Sequence, residues 1–395
     1  MTNPRSDAAL FDVAVIGGAI AGAAMARALA EAAGTRVALI ARDAPPPLAG
    51  EGFDARIYAL SPGNVDFLSA LGAWDRMDLG RATPVTGMRI HGDRAPGELG
   101  FDAYRAGAAQ LAWIVEDSQV QSALQRSLAG QPGLVRWNAG LAAMMPAGDA
   151  QLLELDDGTR LRARLVVGAD GARSPVRAMA GLEAVETPYG QSAVVANFRA
   201  ARPRPGVAWQ CFLGGPILAL LRLPGGHVSM VWSTQEAEAV RLAGLAPEAL
   251  CAAVADASRG SVGELTLVTP PQIFPLRRLS VPRIVSPRVA LVGDAAHVVH
   301  PLAGQGANLG LQDVRELARV LMTREPGRDA GDPHLLRRYE RARAEPVLAM
   351  GATVHGLHRL FGTHAAGIAL LRNAGMAALD RLPPLKNLLV RQAMH

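Results

Sequence analysis

The residues with the clearest capacity for chemistry in this 395-residue chain lie in one stretch of its last third. Leu291-Val292-Gly293-Asp294-Ala295-Ala296-His297 continues through His300-Pro301-Leu302-Ala303-Gly304-Gln305-Gly306-Ala307-Asn308. The order reads as an apolar strand, a Gly-Asp turn, a tight His-Pro loop and a helix that starts at small residues. Free amides at a helix start and the positive end of its dipole favour an anion or an electron-rich ring, by about 0.3–1 kcal/mol when exposed. The plain alternative is a strand-loop-helix connection that uses glycine only to turn.

Two further stretches have the same character. Phe11 to Ile16 is a buried-strand run followed by Gly17-Gly18-Ala19-Ile20-Ala21-Gly22, an Ala-rich helix and a second strand, Arg36 to Ile40. This is a βαβ opening with a dinucleotide fingerprint, in which glycines permit the turn, the approach of a diphosphate and close helix packing. Its middle position is Ala19, a small intrusion. The second strand ends on Ala41, where an acid usually receives ribose hydroxyls, and Arg42 and Asp43 follow. Arg42 beside a ribose points to a 2′-phosphate and NADP; Asp43 or a backbone group taking the hydroxyl leaves FAD open. A Gly/Ala-rich helix merely packed on a sheet is the structural alternative. The third stretch, Leu165 to Arg177, is an apolar strand running into Asp170-Gly171 and a helix begun by Ser174-Pro175. An Asp at the carboxyl end of such a strand points into the crevice where α/β sheets hold ligands.

The elements that must position these turns predict an α/β protein. Residues 1–182 and 284–330 read as a discontinuous Rossmann-like nucleotide-binding domain. Short β-rich runs separated by Gly/Pro turns (Ser192 to Phe198, Ala208 to Leu213, Ile217 to Leu223, His227 to Ser233) predict an inserted antiparallel substrate domain over 183–283. Residues 331–395 read as a helical C-terminal region, with a candidate amphipathic tail from Leu382 to Val390 that packs on its own protein or meets a membrane. Asp54-Ala55-Arg56 sits on a Gly-rich loop, Ser61-Pro62 opens a helix to about Leu71, and Asp117 to Leu128 is amphipathic.

Half the residues are apolar, enough for a large interior. The net charge of +5 is arginine spread along the chain, since Lys386 is the only lysine, which argues against a nucleic-acid partner. Cys211 and Cys251 are far apart, form no metal or redox spacing and suit a reducing compartment. No signal peptide and no spanning helix are evident, so the expected location is the cytoplasm, with peripheral contact at the inner membrane face left open.

The three turns resemble the three motifs of the single-component, FAD-dependent aromatic hydroxylases. The 293–313 block, with Asp54-Ala55-Arg56, Tyr189-Gly190-Gln191, Ala196-Asn197 and Phe274-Pro275-Leu276, is similar to the ubiquinone-biosynthesis hydroxylase branch of that family. The resemblance implies that Gly17, Gly18, Ala19, Ile20, Ala21 and Gly22 face the FAD diphosphate; the family's usual acid at Ala41 is lacking here, and Arg42 is the neighbouring candidate at the adenosine end. It places Asp294 on the ribityl hydroxyls or diphosphate, Asp170 and Gly171 in a motif linked to FAD and NAD(P)H, and Arg56 near the isoalloxazine. Gly304 lies in the same loop, and Gly306, Ala307 and Asn308 would offer amides to the flavin N1–C2=O edge. Relatives often supply a basic or amide contact from the helix after Val115, where Ser118 and Gln119 stand here.

The implied chemistry is cofactor-borne: NAD(P)H reduces the flavin, O2 adds at C4a, and the hydroperoxide delivers oxygen to the ring of a hydrophobic phenol or quinone precursor. The protein must place the substrate and exclude water, tasks suited to an apolar sheet containing Leu218, Leu220, Val231 and Trp232. Pro301 would fix the loop beside the flavin. His300, like His297, would need to reach the substrate hydroxyl to act as an acid or base, and otherwise shapes the loop. The rival readings are a FAD-dependent isoprenoid or quinone reductase on the same scaffold and a noncatalytic flavin or quinone-precursor carrier in a biosynthetic complex.

Overall fold

The computed structural model describes residues 8–32, 34–93, 97–202, 204–300, 304–362, 366–382 and 386. Phe11, Val13, Ala14, Val15 and Ile16 are all buried, so their strand must be covered on both faces, as a central parallel strand is. Ala9–Ile16 pairs in parallel with Val37–Ile40 on one side and with Arg160–Gly168 on the other. Val289–Leu291 continues the sheet in parallel beyond Arg160–Gly168, and Leu134–Trp137 flanks Val37–Ile40. The register sets Ile16 opposite Gly168 and Gly168 opposite Leu291. Three strands therefore end in one row, and the turns that follow them, at Gly17, Ala169 and Val292, leave the sheet side by side.

The second sheet runs in the order 297–298, 272–280, 185–200, 227–235, 217–222, 207–212, 87–91, 98–102. It is antiparallel except where Val207–Phe212 pairs in parallel with Gly87–His91. It thus draws on Gly87–His91, Glu98–Asp102 and His297–Val298, all outside residues 183–283. Ile57–Leu60, Thr83–Val85 and Ala112–Glu116 form a small third sheet that packs on the second through Ile57, Ile114 and Leu223.

One prediction about this sheet is corrected by its pleat. Val231 faces the first domain, but Leu218, Leu220 and Trp232 point the other way, into a core with Leu242, Leu250 and Val254 of the helices Glu236–Ala243 and Pro247–Ala257. Side chains alternate along a strand, so Val231 and Trp232 cannot share a face. The helix after Ser61 begins at Pro62 as expected, yet the Ser61 hydroxyl makes no cap bond; its amide instead donates to Asn308 Oδ1 at 2.9 Å. Ser174 does cap its helix, accepting the Arg177 amide at 2.9 Å.

The helix Gln305–Met322 follows the His-Pro loop, and the C-terminal region contains the helices Pro333–Gly362 and Ala366–Asp380. Apart from Leu382 and Lys386, the candidate amphipathic tail lies outside the described residues. Among the described residues no helix is long and apolar enough to cross a membrane.

The close helix packing at the first turn is quantitative. A Cβ on Gly22 would lie 1.9 Å from the Gly17 carbonyl oxygen, while one on Gly351 would meet nothing within 4 Å. Gly22→Ala is expected to lower stability by about 1–3 kcal/mol, the usual cost of overpacking. Gly351→Ala, in a helix, is expected to be neutral or to gain up to about 1 kcal/mol. Thermal unfolding of the two variants checks both; equal melting temperatures would contradict the packing argument.

Candidate functional site

The three strand-end turns open on one cavity of about 990 Å³. One end is bounded by Ala41, Arg42, Asp43 and Pro45 together with Ala139 and Gly140. Its middle is walled by Gly17, Gly18, Ala19, Ile20 and Ala21 against Asp170 and Gly171. Beyond them come Gly293, Asp294, Gly306 and Ala307, and the far end is the second sheet, with Ala193, Val195, Val231, Phe274 and Leu276. A long polar-to-apolar slot thus spans the gap between the two sheets.

The walls come together because side chains are missing where backbones meet. Gly17, at φ +110°, has no room for a Cβ, which would sit 2.3 Å from the Ala169 carbonyl oxygen. A Cβ on Gly310 would stand 3.3 Å from Gly293 Cα, and one on Gly293 3.2 Å from the Ala21 methyl. Ala19 is exposed on the wall in extended backbone just before the helix Ile20–Ala30, so its methyl does not close the slot.

Two of the carboxylates that face the slot, Asp170 and Asp294, stand in strand-end turns. Asp170 Oδ2 accepts the Val176 amide at 2.9 Å, while Oδ1 is buried with no hydrogen-bond partner among the described residues. Burial raises its pKa above the ordinary value, against the pull of the Ser174 hydroxyl and the Val176 amide. Asp294 is open to the slot but otherwise surrounded by protein, and that desolvation raises its pKa despite His297 and Arg56. Arg56 lies across the same wall with its guanidinium 5.4 Å from the Phe274 ring centroid.

The Arg56 loop is held from several sides. Asp54 donates its amide to Glu116 Oε1 at 2.9 Å, and its carboxylate accepts the Ser118 amide at 2.6 Å. Arg81 bridges Glu116 (2.7 Å) and the Gly52 carbonyl (2.6 Å), and Asn197 of the second sheet donates to the Asp54 carbonyl at 3.0 Å. Asp294's turn and the Asp170 motif are likewise tied: Arg177 donates to the carbonyls of Ala295 (2.9 Å) and Ala172 (2.8 Å).

Four predicted residues stand elsewhere among the described residues. Gly22 lies behind the turn it allows, and Gly304 is the left-handed residue at φ +63° before the helix Gln305–Met322. Asn308 is buried: its amide donates to Ala59 O (2.8 Å), and its oxygen accepts from Ser61 N (2.9 Å) and Asn64 Nδ2 (2.8 Å), clamping that helix to the 57–70 segment. His300 is 1 % exposed, lies 3.3 Å from Gln191 Oε1 and packs edge-on against Tyr189; it is not part of the cavity wall. Pro301 lies outside the described residues.

Tyr58, Asp117 and Gln121 are among the wall residues not singled out from the sequence. After Val115 it is Asp117 and Gln121, not Ser118 and Gln119, that face the slot, and Tyr58 donates to Asp117 Oδ1 at 3.3 Å. Gln121 Nε2 donates to the same oxygen at 2.8 Å. Their spacing of four residues, one position on from the buried Val120 and Leu124, was the available signal. Burial raises the Asp117 pKa and, more strongly, that of Tyr58.

A model of the FAD binding domain matches residues 11–352 of the chain. The chain is 35% identical over 385 residues to the ubiquinone hydroxylase UbiL of Rhodospirillum rubrum, covering 97% of this chain and 89% of that protein. It is 32% identical to the 3-demethoxyubiquinol 3-hydroxylase of Escherichia coli, over 97% of this chain and 98% of that one. This chain belongs to the FAD binding domain family. Among solved structures, p-nitrophenol 4-monooxygenase PnpA of Pseudomonas putida superposes with TM-score 0.77 at 18% identity, over 98% of this chain and 99% of that one. PqsL of Pseudomonas aeruginosa, described as a probable FAD-dependent monooxygenase, gives 0.77 at 22%, over 93% and 100%. These two likenesses show the shared fold.

FAD is therefore the cofactor, and the NADP reading of the Arg42 position gives way to it. Arg42 is ion-paired with Asp156, whose carboxyl the Gly140 amide and Arg42 hold below the ordinary range. The slot fits FAD: an unsatisfied carboxylate oxygen suits a sugar or ribityl hydroxyl, side-chain-free backbone suits a diphosphate, and an apolar far wall suits a ring.

The raised pKa of Asp294 has a definite sign. In the FAD-free protein its charge destabilises the fold above its folded pKa, and the cost is relieved as pH falls through that value toward the ordinary one. Asp294→Asn is expected to raise the melting temperature of the FAD-free protein at neutral pH while weakening FAD binding about tenfold, or roughly 1.4 kcal/mol. Calorimetry and flavin-fluorescence titration measure the two; a variant that binds FAD as tightly as the parent contradicts the assignment.

Proposed function

We propose that this chain is a FAD-dependent monooxygenase that hydroxylates the ring of a prenylated phenol in ubiquinone biosynthesis, using NAD(P)H and O2. The observation that carries this reading is the continuity of one slot from a nucleotide fingerprint to a dry apolar sheet face. Relatives named as ubiquinone-biosynthesis hydroxylases over nearly the whole chain support it. Bound FAD supplies the transfer of electrons from NAD(P)H and the activation of O2.

The chain's own residues bind, orient and exclude water. The amides of the first turn of Ile20–Ala30, which have no intrahelical acceptor, hold the diphosphate. Asp170 and Asp294 accept hydroxyl hydrogens of the sugar and ribityl chain. Asp43, at the end where Ala41 replaces the usual acid, remains for the adenosine ribose. The start of Gln305–Met322, at Gly306 and Ala307, turns its positive end toward negative charge on the reduced ring. Arg56 adds positive charge on that wall. Val195, Val231, Phe274 and Leu276 keep the substrate ring in an apolar, water-poor pocket. His300 shapes the loop from behind rather than touching substrate. Residues 1–182 and 284–330 then form the FAD-binding part, 183–283 the bulk of the substrate part, and 331–395 the helical cover. A prenylated substrate partitions into lipid, so the proposal includes a cytoplasmic protein in contact with the inner membrane face or a biosynthetic complex.

Balanced turnover consumes NAD(P)H, one proton, O2 and the phenol and yields NAD(P)+, water and the hydroxylated ring. The test is 18O2 labelling with prenylated phenols from a strain lacking the gene. One labelled oxygen per product and one NAD(P)H per oxygen are expected; anaerobic turnover, or NAD(P)H oxidation that yields no hydroxylated ring with any of them, overturns the reading. Val231→Trp, which fills the apolar wall, is expected to keep the yellow holoprotein but cut hydroxylation at least about 100-fold, a barrier increase of roughly 2.7 kcal/mol, with oxygen diverted to H2O2. Oxygen-electrode and peroxide assays measure that ratio, and an unchanged yield contradicts the placement of substrate.

A further inference from the structure

Among the described residues the helix Pro333–Gly362 contributes nothing to the cavity wall, yet it reaches the Asp294 turn through two residues one helical turn apart. Tyr339 donates its hydroxyl to the Leu291 carbonyl at 2.8 Å, at the end of the strand that leads into that turn. Arg343 Nε donates to Asp313 Oδ1 at 2.6 Å. The second oxygen, Asp313 Oδ2, accepts the Gly293 amide at 2.9 Å and the His297 Nε2 hydrogen at 2.6 Å. Tyr339, Arg343, Asp313 and His297 are each no more than 6 % exposed.

Charges this deeply buried are costly to desolvate and survive only when each is paired. Burial opposes protonation of His297, but the attraction and hydrogen bond of Asp313 outweigh it and raise its pKa. Burial likewise pushes Asp313 up, and His297, Arg343 and the Gly293 amide together hold it below the ordinary range. The charged group is therefore ionic, and through Asp313 it holds the Gly293 amide. A packed apolar cluster would stabilise the same space without fixing that amide's direction.

We propose that Arg343, Asp313 and His297 are positioning residues: through them the C-terminal helix fixes the Gly293–Asp294 turn and so sets how tightly FAD is held. The inference rests on the reading that this turn faces FAD. None of the three side chains lines the cavity, so the effect is transmitted through the turn.

The test is the FAD dissociation constant and the visible flavin spectrum of Arg343→Met, Arg343→Lys and, on the exposed side of the same helix, Arg341→Met. Arg343→Met is expected to raise the constant at least tenfold and shift the flavin band. Arg343→Lys, which keeps the charge and a donor, is expected to recover most of both, and Arg341→Met to match the parent. If Arg343→Met does not fold, the double variant Asp313→Asn with Arg343→Met removes the charge pair but keeps an acceptor for the Gly293 amide; it is expected to fold and to bind FAD several-fold more weakly. A folded Arg343→Met, or the double variant in its place, that matches the parent in affinity and spectrum overturns the relay. Weakening by Arg343→Lys equal to that by Arg343→Met overturns it as well. Asp294→Asn separates the two ideas. If it weakens FAD binding while Arg343→Met does not, the relay fails and the reading of Asp294 stands; the reverse pattern keeps the relay and removes Asp294 from the site.

Discussion

The structure depends on three backbone turns approaching one another without side chains between them. Gly17 lies against the Ala169 carbonyl, Gly22 against the Gly17 carbonyl, and Gly293 between Ala21 and Gly310. The Gly17–Ala169 contact joins the motifs at 17–22 and 169–174, and the Gly293–Ala21 contact joins those at 293–310 and 17–22, which are far apart in sequence. The parallel register, with Ile16, Gly168 and Leu291 in one row, brings them to the same edge, and the glycines let them close. A ligand laid along that edge meets backbone first, which is what a diphosphate requires. The same closeness leaves no slack, so the turns are positioned as a unit with the sheet.

The cavity joins two chemistries because two sheets form it. The carboxyl edge of the parallel sheet supplies carboxylates and helix starts, and the antiparallel sheet supplies Val195, Val231, Phe274 and Leu276. Polar groups that hold this arrangement are satisfied by partners away from the slot: Glu116 by Arg81, Asp313 by His297 and Arg343, Asn308 by Ala59, Ser61 and Asn64. Among those that face the slot, Asp117, Asp170 and Asp294 are left with raised pKa values. That division is the expected signature of a binding site, where stability is given up for a partner that arrives later.

The parts legible in the sequence were those set by local backbone chemistry. A strand ending in Gly-Asp or Asp-Gly, followed by a Ser-Pro or small-residue helix start, fixes its own geometry, and the α/β character followed from three such units. What depended on register or on distant partners was not legible. Leu218, Leu220 and Trp232 read as cleft residues, but a run of apolar residues on both faces conceals which face is which. Gly87–His91 and Glu98–Asp102, carrying Arg89, His91 and Glu98, drew no strand assignment because an edge pair shows little apolar alternation. Asn308 belongs to the most recognisable motif, yet its side chain serves the fold rather than the slot. Asp313 and Arg343 become one unit only when the helix Pro333–Gly362 folds back on Gln305–Met322.

The most direct measurement of the central claim is a crystal structure of the holoprotein. The account predicts a single FAD lying along the whole slot, its diphosphate against Gly17 to Ala21 and its isoalloxazine between Gly306-Ala307 and the Val195–Val231 wall. A flavin ring lodged outside that gap, or side chains closing the space between the three turns, would contradict it.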